Sequence, residues 1–152
     1  MKVKGIHHVA IIVNDLEKCR DFYTNFLGLE ELPAFAFDYP VQFYQINETQ
    51  QLHLTEWKDE TSFRGHFCLE VDDFDEVFHR SKQQGLIDTA PWGKVRQLKN
   101  GAMQMFIRDP SGNLIEVTYR GAVPIDESIR EDELFDTSDV FVSGRSDARG
   151  GR

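Results

Sequence analysis

Ile6–Val13 reads IHHVAIIV, and the fold turns on this stretch. Its aliphatic and β-branched residues predict a strand, with His8, Ala10 and Ile12 on one face and Val9, Ile11 and Val13 on the other. Downstream, Gly65–Val71 reads GHFCLEV and puts His66 where His8 stood. The separation is 58 positions for His8 to His66, for Val13 to Val71 and for Asp15 to Asp73, and 57 for Gly28 to Gly85. A strand and a helix repeated with one residue of slip define two related modules, about 4–58 and 65–120.

Each module follows the same programme. In the first, Asn14 and Asp15 offer a helix start, LEKCRDFYTNFLG has helical spacing, and Gly28 is placed as its C-terminal cap. Strands are expected at Glu30–Leu32, Gln42–Asn47 and Gln51–Trp57. Between Pro33 and Pro40 the segment AFAFDY reads as an irregular edge, its phenylalanines serving more readily as caps on the core than as pocket lining. Lys58–Arg64 is a polar connector. In the second module Asp73 and Glu76 have capping-box spacing before FDEVFHRSKQQG, and Gly85 ends the helix. Strands are expected at Lys94–Leu98, Met103–Arg108 and Leu114–Tyr119, the last two joined by the turn DPSGN, Asp109–Asn113. The predicted fold is α+β: two βαβββ modules whose mixed sheet curves around a cleft.

Composition narrows the function classes. A chain of 152 residues with 40% apolar content, including 12 Phe, can bury a core as one ordinary domain. No apolar run approaches a membrane span of roughly 20 residues, and the N-terminus lacks a signal-type apolar segment. A net charge of −9 opposes nucleic-acid binding. Cys19 lies on the apolar stripe of the first helix and Cys68 on a strand face, so no disulfide is expected. A cytoplasmic protein follows.

Strand alternation selects four polar residues. Leu52 and Leu54 alternate with His53 and Thr55; Phe67, Leu69 and Val71 with His66, Cys68 and Glu70; Ile115 and Val117 with Glu116 and Thr118. The aliphatic set must pack beneath a helix, which leaves His8, His53, His66 and Glu116 on the cleft face. Three imidazoles and a carboxylate suit one divalent transition metal: Fe, Zn, Ni, Co or Mn. Any one of these residues alone reads better as a hydrogen-bonded core histidine or a solvated glutamate. Four at matching positions of a repeat favour the metal.

The opening IHHVAIIVNDLEKCRDFYTNFLGLEEL, the second opening HFCLEVDD and the ending FIRDPSGNLIEV resemble the vicinal oxygen chelate superfamily over about Lys4 to Tyr119. That superfamily includes glyoxalase I, bleomycin-resistance proteins, fosfomycin-resistance enzymes and extradiol dioxygenases. The resemblance implies that His8, His66 and Glu116 are metal ligands and that His53 occupies the fourth ligand position. Glyoxalase I has a glutamate there, acting as ligand and base, so this chain departs from its pattern at His53. Glu56, three residues on, points the other way by parity. No serine-rich loop of the fosfomycin type is present.

The implied function is a metal-dependent enzyme acting on a small molecule with adjacent oxygens, ranked first as a glyoxalase-like lyase or isomerase. An Fe(II) extradiol-type dioxygenase is the second reading, and a non-catalytic binding protein of the bleomycin-resistance kind is the third. The resemblance also implies a homodimer, with the cleft formed within one chain or shared between two.

Weaker signals complete the reading. Cys68 is expected as a small apolar wall residue, and His7 and His79 as structural or surface groups. Trp57, Phe43, Arg96 and Met105 are candidates for the substrate pocket, Arg96 for an anionic group. The domain, 1–121, is followed by a tail, 122–152, acidic and then Gly/Arg-rich. The tail reads as solvated, with Ile125, Ile129, Leu134 and Phe135 offering an alternative docked turn.

Overall fold

A computed structural model describes residues 1–34 and 37–138. The chain divides into two compact units, 1–61 with 109–113, and 62–108 with the residues from 114 onward. Each contains one four-stranded mixed sheet, as the repeat requires.

In the first unit β1 (His8–Val13) leads into α1 (Leu16–Asp21) and then β2 (Glu30–Leu32), β3 (Val41–Gln45) and β4 (Gln51–Glu56). The sheet order is β1-β4-β3-β2, with β1 parallel to β4 and the other pairs antiparallel. The intervening helix and strands make the parallel pairing possible, since parallel strands need a long crossover. Val13, Leu52 and Leu54 are buried from the sheet, against Leu16, Cys19, Phe22, Tyr23 and Phe26 from the helix. Asp15 caps α1 by accepting from the Lys18 amide, and the Glu56 carboxylate accepts from the Leu16 amide at 2.8 Å. Glu56 is thus committed to the helix side, as its parity requires.

The first helix is not uniform. From Phe22 to Phe26 it widens into a π-turn, with the Leu27 amide donating to the Phe22 carbonyl. The wider turn lets Phe22, Tyr23 and Phe26 all reach the interior. Gly28 follows at φ 70°, the left-handed cap position that Gly85 also takes at φ 66°.

The DPSGN turn locks the first unit. Asp109, only 4% exposed, accepts from Tyr23 Oη at 2.8 Å and from the Ser111 and Asn113 amides. Asn113 donates to the Ile12 carbonyl, and Ser111 exchanges hydrogen bonds with Asn14 and contacts Cys19 Sγ at 3.2 Å.

The second unit runs β5 (His66–Glu70), α2 (Phe74–Gln83), β6 (Arg96–Gln97), β7 (Met103–Arg108), β8 (Leu114–Tyr119) and α3 (Glu127–Arg130). The sheet order is β5-β8-β7-β6, again with one parallel pair, β5 to β8. Asp73 caps α2, as predicted. β6 is shorter than the Lys94–Leu98 strand expected. Val95 instead bridges Phe135, donating to the Leu134 carbonyl and accepting from the Asp136 amide, so the C-terminal segment takes its backbone groups.

That segment is therefore not a free tail over its described part. Ile125 and Ile129 are buried, Lys82 pairs with Asp132, and Lys94 donates to the Glu133 carbonyl. The docked turn sits on its own unit. The Gly/Arg-rich stretch 142–152 and Phe35 lie outside the described residues. Among the described residues no helix is long and apolar enough to cross a membrane, and both cysteines are free thiols.

Candidate metal centre

The two edge strands and their parallel neighbours carry the four candidates. In the second unit, register places Cys68 opposite Glu116, so His66 and Glu116 share one sheet face. Their side chains meet, with His66 Nε2 3.0 Å from Glu116 Oε2. His66 Nδ1 lies 2.9 Å from the Arg64 carbonyl, which can only accept. Nδ1 therefore carries the proton, and in the neutral ring Nε2 presents a lone pair to a carboxylate oxygen. Two acceptors that close call for a shared cation or proton. Ligands about 2.1 Å from one ion at right angles stand roughly 3 Å apart, so this pair suits adjacent coordination positions. The carbonyl behind Nδ1 is the outer partner that fixes a ligating imidazole.

Glu116 is further held by Gln104, whose amide donates to Oε1 at 2.8 Å. Phe106 and Trp92 set ring edges against His66, with centroids 5.1 and 6.1 Å away. Gln104, Phe106 and Trp92 were not among the sequence candidates. Parity on β7 identifies the first two, because Phe106 lies opposite Glu116 in register. Met105, which was a candidate, belongs to the other face and is fully buried.

In the first unit His8 and His53 also share a face, since β1 and β4 pair Ala10 with His53. Their rings stack at 4.2 Å with planes 12° apart, and Phe43 stacks on the far side of His53 at 3.9 Å. Stacked imidazoles aim their in-plane lone pairs side by side, so one ring must turn before both can reach a common ion. His53 Nε2 donates to the Gln51 side-chain oxygen Oε1 at 2.9 Å, and His8 Nδ1 lies 3.0 Å from His7 Nδ1. Burial, followed by repulsion from His8 and His7, holds the His53 pKa below its ordinary value. It therefore favours the neutral ring that binds metals. Among the described residues no three His, Cys, Asp or Glu side chains stand together as a ready metal cluster. The structure assembles two pairs.

Three other expectations change. Arg96 is 6% exposed, donates to the Trp92 and Lys94 carbonyls and pairs with Asp136 at 3.8 Å, so it holds the C-terminal segment in place and does not serve as an anion receptor. Cys68 is exposed and not a packed wall residue. Partial burial of its side chain and the Glu116 and Glu70 carboxylates push its thiol up to about 11, which leaves it a poor nucleophile. Phe37, expected to cap the core, is 45% exposed.

A topology of paired βαβββ units with a His-Glu pair on the second sheet defines a class. The profile of the Glyoxalase/Bleomycin resistance protein/Dioxygenase superfamily matches residues 5–117, and the chain belongs to that superfamily. It is similar to the lactoylglutathione lyase of Neisseria meningitidis serogroup A, with 33% identity over 123 residues, 72% of this chain and 86% of that protein. It is also similar to the lactoylglutathione lyase of Salmonella typhimurium, with 30% identity over 121 residues, covering 72% and 88%. The crystal structure of lactoylglutathione lyase from Agrobacterium tumefaciens superposes with a TM-score of 0.59 at 25% identity, covering 78% of this chain and 96% of that one.

Proposed function

We propose that this chain is a metal-dependent enzyme that acts on a small molecule with two adjacent oxygens, by lyase or isomerase chemistry of the glyoxalase type. His8, His53, His66 and Glu116 are the proposed ligands of one divalent ion. The observation that carries the reading is the His66–Glu116 contact, where an imidazole nitrogen stands 3.0 Å from a carboxylate oxygen on the same sheet face. The ion, when bound, supplies a Lewis acid that polarises the substrate oxygens.

The chain's own residues have separate roles in this account. The Arg64 carbonyl fixes the His66 tautomer, and Gln104 orients Glu116. Phe106 and Trp92 hold ring edges against one side of His66 and limit its rotation. A proton leaving the carbon beside the substrate oxygens needs a base. Glu56 is excluded from that role by its commitment to the Leu16 amide.

A second reading has its own observation. Position 53 carries an imidazole stacked between two rings, and two histidines with one carboxylate form the donor set of non-haem Fe(II) oxygenases. Oxygen consumption with catechols under Fe(II), set against hemithioacetal turnover under Ni or Zn, separates the two. Turnover of the hemithioacetal alone supports the lyase reading, and oxygen uptake alone replaces it. We further propose a cytoplasmic homodimer, tested for its state by sedimentation.

A further inference from the structure

The first unit carries a chain of aromatic rings for which neither the core nor the ligand set accounts. From His53 it runs through Phe43 (3.9 Å) to Phe37 (5.7 Å), Tyr39 (5.4 Å) and Trp57 (5.6 Å), each distance taken between neighbouring centroids. Phe37 is 45% and Trp57 50% exposed. Exposed large aromatics scattered singly need no explanation, but these join into one wall. The wall begins at a candidate ligand, on the sheet face that bears His8 and His53.

The charge of that face narrows what the wall receives. By register, β1, β4, β3 and β2 put Ala10, Ile12, Val41, Phe43, Leu32 and the Glu30 carboxylate onto it, and no Lys or Arg. A peptidic thiol conjugate with free carboxylates finds no cation on these strands. A neutral ring finds faces and edges at the spacings aromatic pairs prefer.

We propose that the substrate carries a neutral, planar aromatic group seated on the Phe43–Phe37–Tyr39–Trp57 wall beside His53. The assignment names the substrate class of the proposed site and rests on that reading for turnover, but not for the binding of the ring itself.

The test compares two neutral vicinal diols by equilibrium dialysis, 2,3-dihydroxynaphthalene and trans-1,2-cyclohexanediol, on the full chain with and without chelator treatment. The aromatic diol is expected to bind about tenfold or more tightly, with two ring contacts contributing. That preference persists after chelation and collapses to within about twofold in Phe37→Ala/Trp57→Ala. Both positions are exposed, and an unchanged far-ultraviolet spectrum and unfolding midpoint show that the variant folds. Equal binding of the two diols, a preference unchanged in the double variant, or one that vanishes with the metal overturns the proposal. Self-association that buries Trp57 without ligand, seen as concentration-dependent emission in Trp92→Phe, also overturns it. If chelation alters neither affinity while the preference stands, the aromatic wall is upheld and the metal reading falls.

Discussion

His66 and Glu116 stand 3.0 Å apart across β5 and β8, with the second nitrogen of His66 already committed to the Arg64 carbonyl. With the ring neutral, an acceptor faces an acceptor, an arrangement that costs stability unless a cation lies between them. Replacing the carboxylate by an amide gives His66 a donor. Glu116→Gln should therefore leave the metal-stripped protein as stable as the parent, or more stable by about 1 kcal/mol. Its metal affinity should fall by more than the roughly 10–100-fold cost of losing an outer-shell partner. Urea unfolding of chelated protein and competition with a metallochromic dye measure the two effects.

Asp109 is the hub of the first unit, holding Tyr23, Ser111 and Asn113 from a nearly fully buried position. Asp109→Ala strands those donors and should cost about 3 kcal/mol in urea unfolding. Tyr23→Phe removes one hydrogen bond and should cost about 1 kcal/mol. Equal costs would contradict the hub.

How much of this was legible in the sequence follows from what alternation can and cannot see. Parity on β1, β4, β5 and β8 put His8 with His53 on one face of the first sheet and His66 with Glu116 on one face of the second, and it turned Glu56 toward the helix, where it caps Leu16. Periodicity also placed both helices and their glycine caps. It failed where a distant segment intervened. Val95 reads as part of a strand, yet its backbone pairs with residues 134–136, some 40 positions on. Arg96 reads as a surface cation for the same reason, although Asp136 covers it. The π-turn at Phe22–Phe26 leaves no trace in a 3.6-residue pattern, since it depends on three aromatic rings finding room together. The stacking of His8 on His53 depends on side-chain rotation, which spacing does not encode.

His53 gives the pH dependence its sign. Its folded pKa is lowered by burial and by its histidine neighbours, so below its ordinary value of 6.5 the unfolded chain binds the proton more readily. Stability from this group is complete above that pH and is lost as pH falls through 6.5 toward the folded value. The metal-free protein should weaken on acidification in that window, and His53→Gln should flatten the slope. Thermal melts in chelator across pH 5 to about 8 test it.

Both thiols are held near 11, Cys19 chiefly by burial and Cys68 by partial burial and its two carboxylate neighbours. At about pH 8 only roughly a thousandth of each is thiolate. An aromatic disulfide reagent should therefore label Cys68 slowly and Cys19 only after unfolding. Rapid labelling of Cys68 at the rate of a free thiol would contradict its described surroundings.

The central claim is the metal, and elemental analysis of protein purified without chelator tests it most directly. The account predicts about one equivalent of a divalent transition ion in the parent chain, lost in His66→Ala and retained in Glu56→Gln. An absence of stoichiometric metal in the parent, or the same content in His66→Ala, would contradict it.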